Sequence, residues 1–199
     1  MHNEKGLTPL QVWDLARSVV EDFHEVNDKL YSANQHSNVG WMAPSPGYFK
    51  VNVDGASPLD GNGISGVGAI VRNGGKVVAA LCKALPSCYP AEWTKLFALE
   101  QGIIMAQQLA ISNVIIESDA ALVIQAISQD LCGGEVGHLI QGILGAKSSF
   151  TDCSFRHVNR AFNGAAHELA QYAKWNNVSH VWKDDFSLYL DFQLQSVSS

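Results

Sequence analysis

The chain has 199 residues, 47% of them hydrophobic and 16% charged, and a formal net charge of −6. That composition supports a packed core and excludes a disordered chain, and the negative balance argues against tight non-specific binding to a polyanion, which depends on Lys and Arg. The four cysteines, Cys82, Cys88, Cys132 and Cys153, show no Cys-x-x-Cys pair and no zinc spacing, and no stretch is apolar for long enough to cross a membrane, so a reducing, intracellular setting is expected without a choice between nucleus and cytoplasm.

The first predicted element is a helix opening at Thr8-Pro9-Leu10-Gln11, where Thr8 and Gln11 can form a capping box and Pro9 suits the first helical position. Leu10, Trp13, Ala16, Val19, Val20, Phe23, Val26 and Leu30 form one apolar stripe. A polar run, Tyr31 to Asn38, follows with linker composition. Residues 1–40 therefore read as an appendage whose stripe either packs back on the domain or pairs with another chain. A domain over 41–191 is expected to fold without it, with 192–199 as a tail.

Trp41-Met42-Ala43-Pro44-Ser45-Pro46-Gly47 is an extended lead-in. Tyr48 to Asp54 then alternates, with Phe49, Val51 and Val53 on one face and Lys50, Asn52 and Asp54 on the other. A strand from Gly66 to Arg72, the hairpin signal Asn73-Gly74-Gly75 and a strand from Lys76 to Ala84 complete an antiparallel meander. Pro90 to Leu109 reads as a helix and Asn113 to Glu117 as a short apolar strand of the kind buried in parallel sheets. Helices over Ala120–Ser128 and Val136–Ser148, a strand over Phe150–Val158 and a helix over Asn163–Trp175 follow. The stretch Trp182 to Gln195 shows no long regular pattern. The order, three strands and then alternating helices and strands, predicts an α/β protein with a five-stranded mixed sheet flanked by helices.

Two acids stand out. Asp54 ends the first strand and Asp119 follows the fourth. If those strands are parallel neighbours, both carboxylates emerge at one edge, the carboxyl end of the strands where ligands of open α/β sheets bind. There they could share a divalent metal. The plainer readings are an Asx turn at Asp54 and a helix N-cap at Asp119.

The chain also resembles the type 1 ribonuclease H domain, in the plant form found in non-LTR retrotransposon polyproteins and genes derived from them. The resemblance rests on Trp41-x-x-Pro44-x-Pro46-Gly47, Lys50-Val51-Asn52-Val53-Asp54-Gly55-Ala56 and Gly66-Val67-Gly68-Ala69-Ile70-Val71-Arg72. It continues through Ala98-Leu99-x-x-Gly102, Ile115-Ile116-Glu117-Ser118-Asp119 and His157-Val158-Asn159-Arg160-x-x-Asn163-x-Ala165-Ala166. It implies a ribonuclease H-like fold and two-metal Mg²⁺ hydrolysis of the RNA strand of an RNA/DNA hybrid. By the same resemblance His157 matches a histidine that assists proton transfer and product release, and Asn163 matches a substrate-contacting position. In the sequence itself Arg156 and Arg160 flank His157 and form a small basic edge, and a broad basic stripe is absent.

The family uses four acids, of which Asp54 and Asp119 match two. Lys95 and His167 stand where the other two would be. Two carboxylates and one ammonium sum to −1, whereas two Mg²⁺ about 4 Å apart repel by roughly 16 kcal/mol at an effective dielectric of 20. Glu92, one turn before Lys95, is a conceivable replacement ligand, while Glu168 points about 100° away from His167 on a helix. The reading is a ribonuclease H descendant that binds hybrid or structured RNA, with a weak or absent Mg²⁺ site and hydrolysis weak or lost. The alternatives are a catalytically silent protein-interaction module acting through the N-terminal helix and the sheet surface, and an active Mg²⁺-dependent hybrid ribonuclease.

Overall fold

A computed structural model describes residues 45–74 and 76–183, together with Thr8, Leu10, Gln11, Asp14 and Ser18. The capping box is present in that first group: Thr8 N donates to Gln11 Oε1 at 2.8 Å and Gln11 N to Thr8 Oγ1 at 3.3 Å. The remainder of the N-terminal stripe, the polar run 31–38, the lead-in up to Pro44 and the tail 184–199 lie outside the described residues.

The sheet has six strands: β1 (Phe49–Ala56), β2 (Gly66–Asn73), β3 (Lys76–Ala84), β4 (Asn113–Ser118), β5 (Asp152–His157) and β6 (His180–Lys183). Their order is β5-β4-β1-β2-β3-β6. β1 pairs with β2 and β2 with β3 in antiparallel fashion, while β4 runs parallel to both β1 and β5. The expected five strands become six because β6 adds antiparallel to the free edge of β3, from Ala79 opposite Lys183 to Cys82 opposite His180. Four residues are too few for a period to show, so β6 is defined by the edge it meets.

The helices are α1 (Ala91–Gln108), α2 (Ala121–Ser128), α3 (Gly137–Ala146) and α4 (Gly164–Asn176). The larger core lies between α1 and the sheet, with Val51, Val53, Leu96, Leu99, Ile103 and Ile116 fully buried. α4 covers the opposite face with Leu169 and the small residues Ala165, Ala166, Ala170 and Ala173. It lies so close that a Cβ on Gly68 of β2 would sit 2.3 Å from the Ala166 carbonyl oxygen. Gly68→Ala is therefore expected to cost about 2–3 kcal/mol of stability through overpacking against backbone. An unchanged urea midpoint in that variant would show that α4 can move away freely.

The polar face of β1 is not solvated, as alternation alone would suggest. Lys50, Asn52 and Asp54 are all buried. Lys50 Nζ meets Glu117 Oε1 at 2.7 Å, Asn52 Nδ2 donates to Glu117 Oε2 at 3.2 Å, and Arg72 bonds the Asn52 amide oxygen. Burial lowers the Lys50 ammonium below its ordinary value and takes the Arg72 guanidinium down to about 10, in both cases against the pull of Glu117. A buried charged group is tolerated when paired, and here each is.

Candidate functional site

Two close backbone approaches build the site. A Cβ on Gly55 would sit 2.5 Å from the Thr94 carbonyl oxygen, so the start of α1 lies directly on the end of β1. The residue after Thr94 is Lys95, which that contact delivers to Asp54. On the other face, the packing of α4 on Gly68 delivers His167, one turn into the helix. β4 contributes the third wall: Asn52 pairs with Glu117 in parallel register, so Asp54 and Asp119 leave the sheet side by side.

All four side chains meet. The Lys95 ammonium bonds Asp54 Oδ1, and it reaches Asp119 Oδ1 at 3.0 Å. His167 Nδ1 lies 2.7 Å from Asp54 Oδ2, and Gly55 N donates to Asp54 Oδ1 at 2.8 Å. Arg160 Nη2 lies 3.2 Å from His167 Nε2. Arginine only donates, so Nε2 is the acceptor, and the ring carries its proton on Nδ1 and gives it to Asp54. Gln171 Nε2, 3.4 Å away, is a second donor to the same Nε2. The Asp54 carboxylate, 1% exposed, is thus enclosed by an ammonium, an imidazole N–H and a backbone N–H.

The Asx-turn and N-cap readings do not describe these acids. β1 continues past Asp54 to Ala56. The residue at the N-cap of α2 is Ala120, with no side-chain cap, and Asp119 is turned to Lys95 instead. Asn163 is 1% exposed, and its amide is committed to the sheet: Nδ2 donates to Val53 O at 2.9 Å and Oδ1 accepts from Asn52 Nδ2 at 3.3 Å. The geometry makes it a buried anchor for the start of α4. His157 ends β5, exposed, opposite Ser118, and takes no part in the four-residue cluster. Glu92 and Glu168 are exposed and stand outside it as well.

Burial works to raise the Asp54 pKa, but the hydrogen bond from His167 and the Lys95 charge bring it below the usual carboxylate value. Burial likewise works to lower Lys95, and the two aspartates outweigh it, so the ammonium is held above its ordinary value. A depressed carboxylate contributes stability above its unfolded pKa that is lost as pH falls through the folded one. A raised ammonium contributes stability below its unfolded pKa that is lost as pH rises through the folded one. The cluster is therefore expected to stabilise the fold evenly around neutrality and to give way below about pH 4 and above about pH 10. In denaturant titrations Asp54→Asn should flatten the acid limb, and an identical acid limb in parent and variant would contradict this.

A divalent cation does not fit these residues as they stand. The ammonium already uses both carboxylates, and among the described residues there is no group of three His, Cys, Asp or Glu side chains able to hold a metal.

A family model described as reverse transcriptase-like matches residues 52–173. The chain belongs to the reverse transcriptase-like family. Among curated proteins there is no match. Several solved structures share the fold. The N-terminal ribonuclease H domain of a Mycobacterium tuberculosis protein is 22% identical with a TM-score of 0.59, covering 65% of this chain and 94% of that one. Ribonuclease H1 of Halobacterium salinarum is 20% identical with a TM-score of 0.57, covering 66% and 99%. LC11 ribonuclease H1, solved in complex with an RNA/DNA hybrid, is 16% identical with a TM-score of 0.59, covering 65% and 98%. At these identities the likeness is one of fold, and the reverse transcriptase-like chain described here is ribonuclease H-like in architecture.

Sequence reasoning brought Asp54, Lys95, Asp119 and His167 together through motif offsets. It placed Arg160 at a basic edge, where the structure sets it on His167. It missed Gln171, whose only signal is its position four residues after His167 on one helical face.

Proposed function

We propose that the chain is a nucleic-acid-binding ribonuclease H-like domain of retroelement origin, of the plant type, in which cleavage of the RNA strand of a hybrid is weak or lost. One observation carries the reading: the Lys95 ammonium bonded to both Asp54 and Asp119. A tethered cation then stands where the family would bring Mg²⁺, and the cluster offers a divalent ion a net charge of only −1. Arg160 and Arg156, both exposed beside the site, are the groups that would meet phosphates.

The test is binding of an RNA/DNA hybrid and of a structured RNA, with and without Mg²⁺, across a salt series. Binding is expected to survive chelation and to weaken as salt rises, with a slope of about −0.9 per phosphate neutralised on duplex. Expected, too, is an intact RNA strand after incubation with Mg²⁺. Vigorous Mg²⁺-dependent cleavage lost on Asp54→Asn would overturn the silent-site reading. Absence of any salt-sensitive binding would favour the second reading, a protein-interaction module. That reading draws on the net charge of −6 and on exposed apolar side chains such as Leu122, 80% accessible.

A further inference from the structure

A groove leaves the Asp54 cluster along the outer face of α4. His167, Gln171, Lys174 and Trp175 recur at the spacing of one helical stripe and form one wall. Ser57 and Leu59, in the β1–β2 loop, form the other. The cavity between them is about 650 Å³, within the range of small-ligand sites. A second cavity of about 400 Å³ shares Leu59, Lys174 and Trp175 with the first, so the indole stands between two open spaces.

Three observations define what this groove would take. Trp175 is 75% exposed, an unusual state for the largest apolar ring, and the Lys174 ammonium sits 4.2 Å from its centroid, which orients the ring and puts a cation beside it. Gln171 supplies a second, independent sign. Its Nε2 lies 3.4 Å from His167 Nε2, and its Oε1 is a buried acceptor without a hydrogen-bond partner. A buried orphan acceptor costs stability unless a donor arrives. Glu168, also lining the groove, disfavours an anion inside it.

We infer that this groove is a subsite for one unpaired nucleotide of a nucleic-acid strand, held by its base. The planar base stacks on Trp175, the Gln171 side chain turns outward so that Oε1 accepts from an amino or imino N–H of the base, and the flanking phosphates stay outside near Lys174 and Arg160. Stacking on an exposed aromatic is tolerant of base identity, and a carbonyl acceptor selects bases that offer a donor edge. The inference rests on the nucleic-acid-binding reading and adds a single-stranded element to it.

The full chain is titrated with a four-nucleotide single-stranded RNA, with an abasic tetramer of the same backbone and with a blunt RNA/DNA hybrid. The tetramer is expected to bind at least about tenfold more tightly than its abasic counterpart. Trp175→Ala is expected to weaken the tetramer about tenfold, Gln171→Leu to weaken it several-fold, and Trp175→Phe to retain most of the binding. The exposed ring predicts an unchanged melting temperature for Trp175→Ala, so lost binding reports the groove. Equal binding of the abasic tetramer, no binding of the tetramer, or indifference to Trp175→Ala each overturns the subsite. A chain that binds the hybrid but fails these tests loses only the subsite, whereas Trp175-dependent tetramer binding without hybrid binding keeps the subsite and removes the hybrid reading.

Discussion

Changing Lys95→Glu and His167→Asp together is expected to create Mg²⁺-dependent cleavage of an RNA/DNA hybrid where the parent shows little or none. The parent site carries −1, from Asp54, Asp119 and the Lys95 ammonium. The first change subtracts two charges and removes the group that now binds both carboxylates, and the second adds an oxygen donor, giving four carboxylates and −4. The backbone placement is already present, because α1 and α4 are fixed on the sheet by the contacts at Gly55 and Gly68. A gain of at least about 100-fold is expected, the scale on which one preorganised charge-stabilising group acts. Adding Asp54→Asn should abolish it. A double variant that binds the hybrid but stays inert would place the defect in how the groove presents the strand, for instance through His157, which the structure leaves apart from the cluster.

Lys95→Glu alone is expected to weaken the fold strongly when metal is chelated. Asp54 is 1% exposed and would then face a second carboxylate instead of an ammonium. Breaking a buried ion pair and leaving one charge behind costs about 3–5 kcal/mol, and because the Lys95 side chain is 21% exposed the lower end applies. A loss of about 3 kcal/mol corresponds to a melting temperature lower by about 10 °C for a domain of this size. Mg²⁺ should restore part of it to Lys95→Glu by ligand linkage and none of it to Lys95→Met. Calorimetry with chelator and with Mg²⁺ checks both statements, and a Lys95→Glu variant as stable as the parent in chelator would mean that the ion pair contributes nothing to the fold.

The elements of this fold were legible where periodicity or turn chemistry runs long. The meander announced itself through the alternation of Phe49 to Val53 and the Asn73-Gly74 turn, and α1 through the apolar residues Trp93, Leu96, Phe97, Ile103, Ile104 and Ala106. β6 was not legible, because His180 to Lys183 becomes a strand only by completing the edge of β3. The burial of the polar face of β1 was not legible for a related reason: Lys50 and Asn52 find Glu117, Arg72 and Asn163 across separations of 20 to 111 residues, which no local pattern encodes. At the site, sequence offsets pointed to Lys95 and His167 as neighbours of Asp54 and Asp119, and the four side chains meet. The offsets could not show that both would bond the same aspartate, since that follows from how closely two helices lie on opposite faces of one strand.

The ammonium bridging Asp54 and Asp119 also bears on how such a chain can change over time. A site that has lost one acid to a neutral residue remains a single reversion from activity. Here the substituting side chain has become part of the scaffold. The lone reversion at position 95 brings instability before it brings metal binding, and the lone reversion at position 167 leaves the carboxylates occupied. Each single step from this sequence toward a four-acid site is therefore unfavourable or unrewarded, and only the pair together is productive. If catalysis has been lost as proposed, the ion pair acts as a ratchet that makes this loss easy to keep and hard to undo.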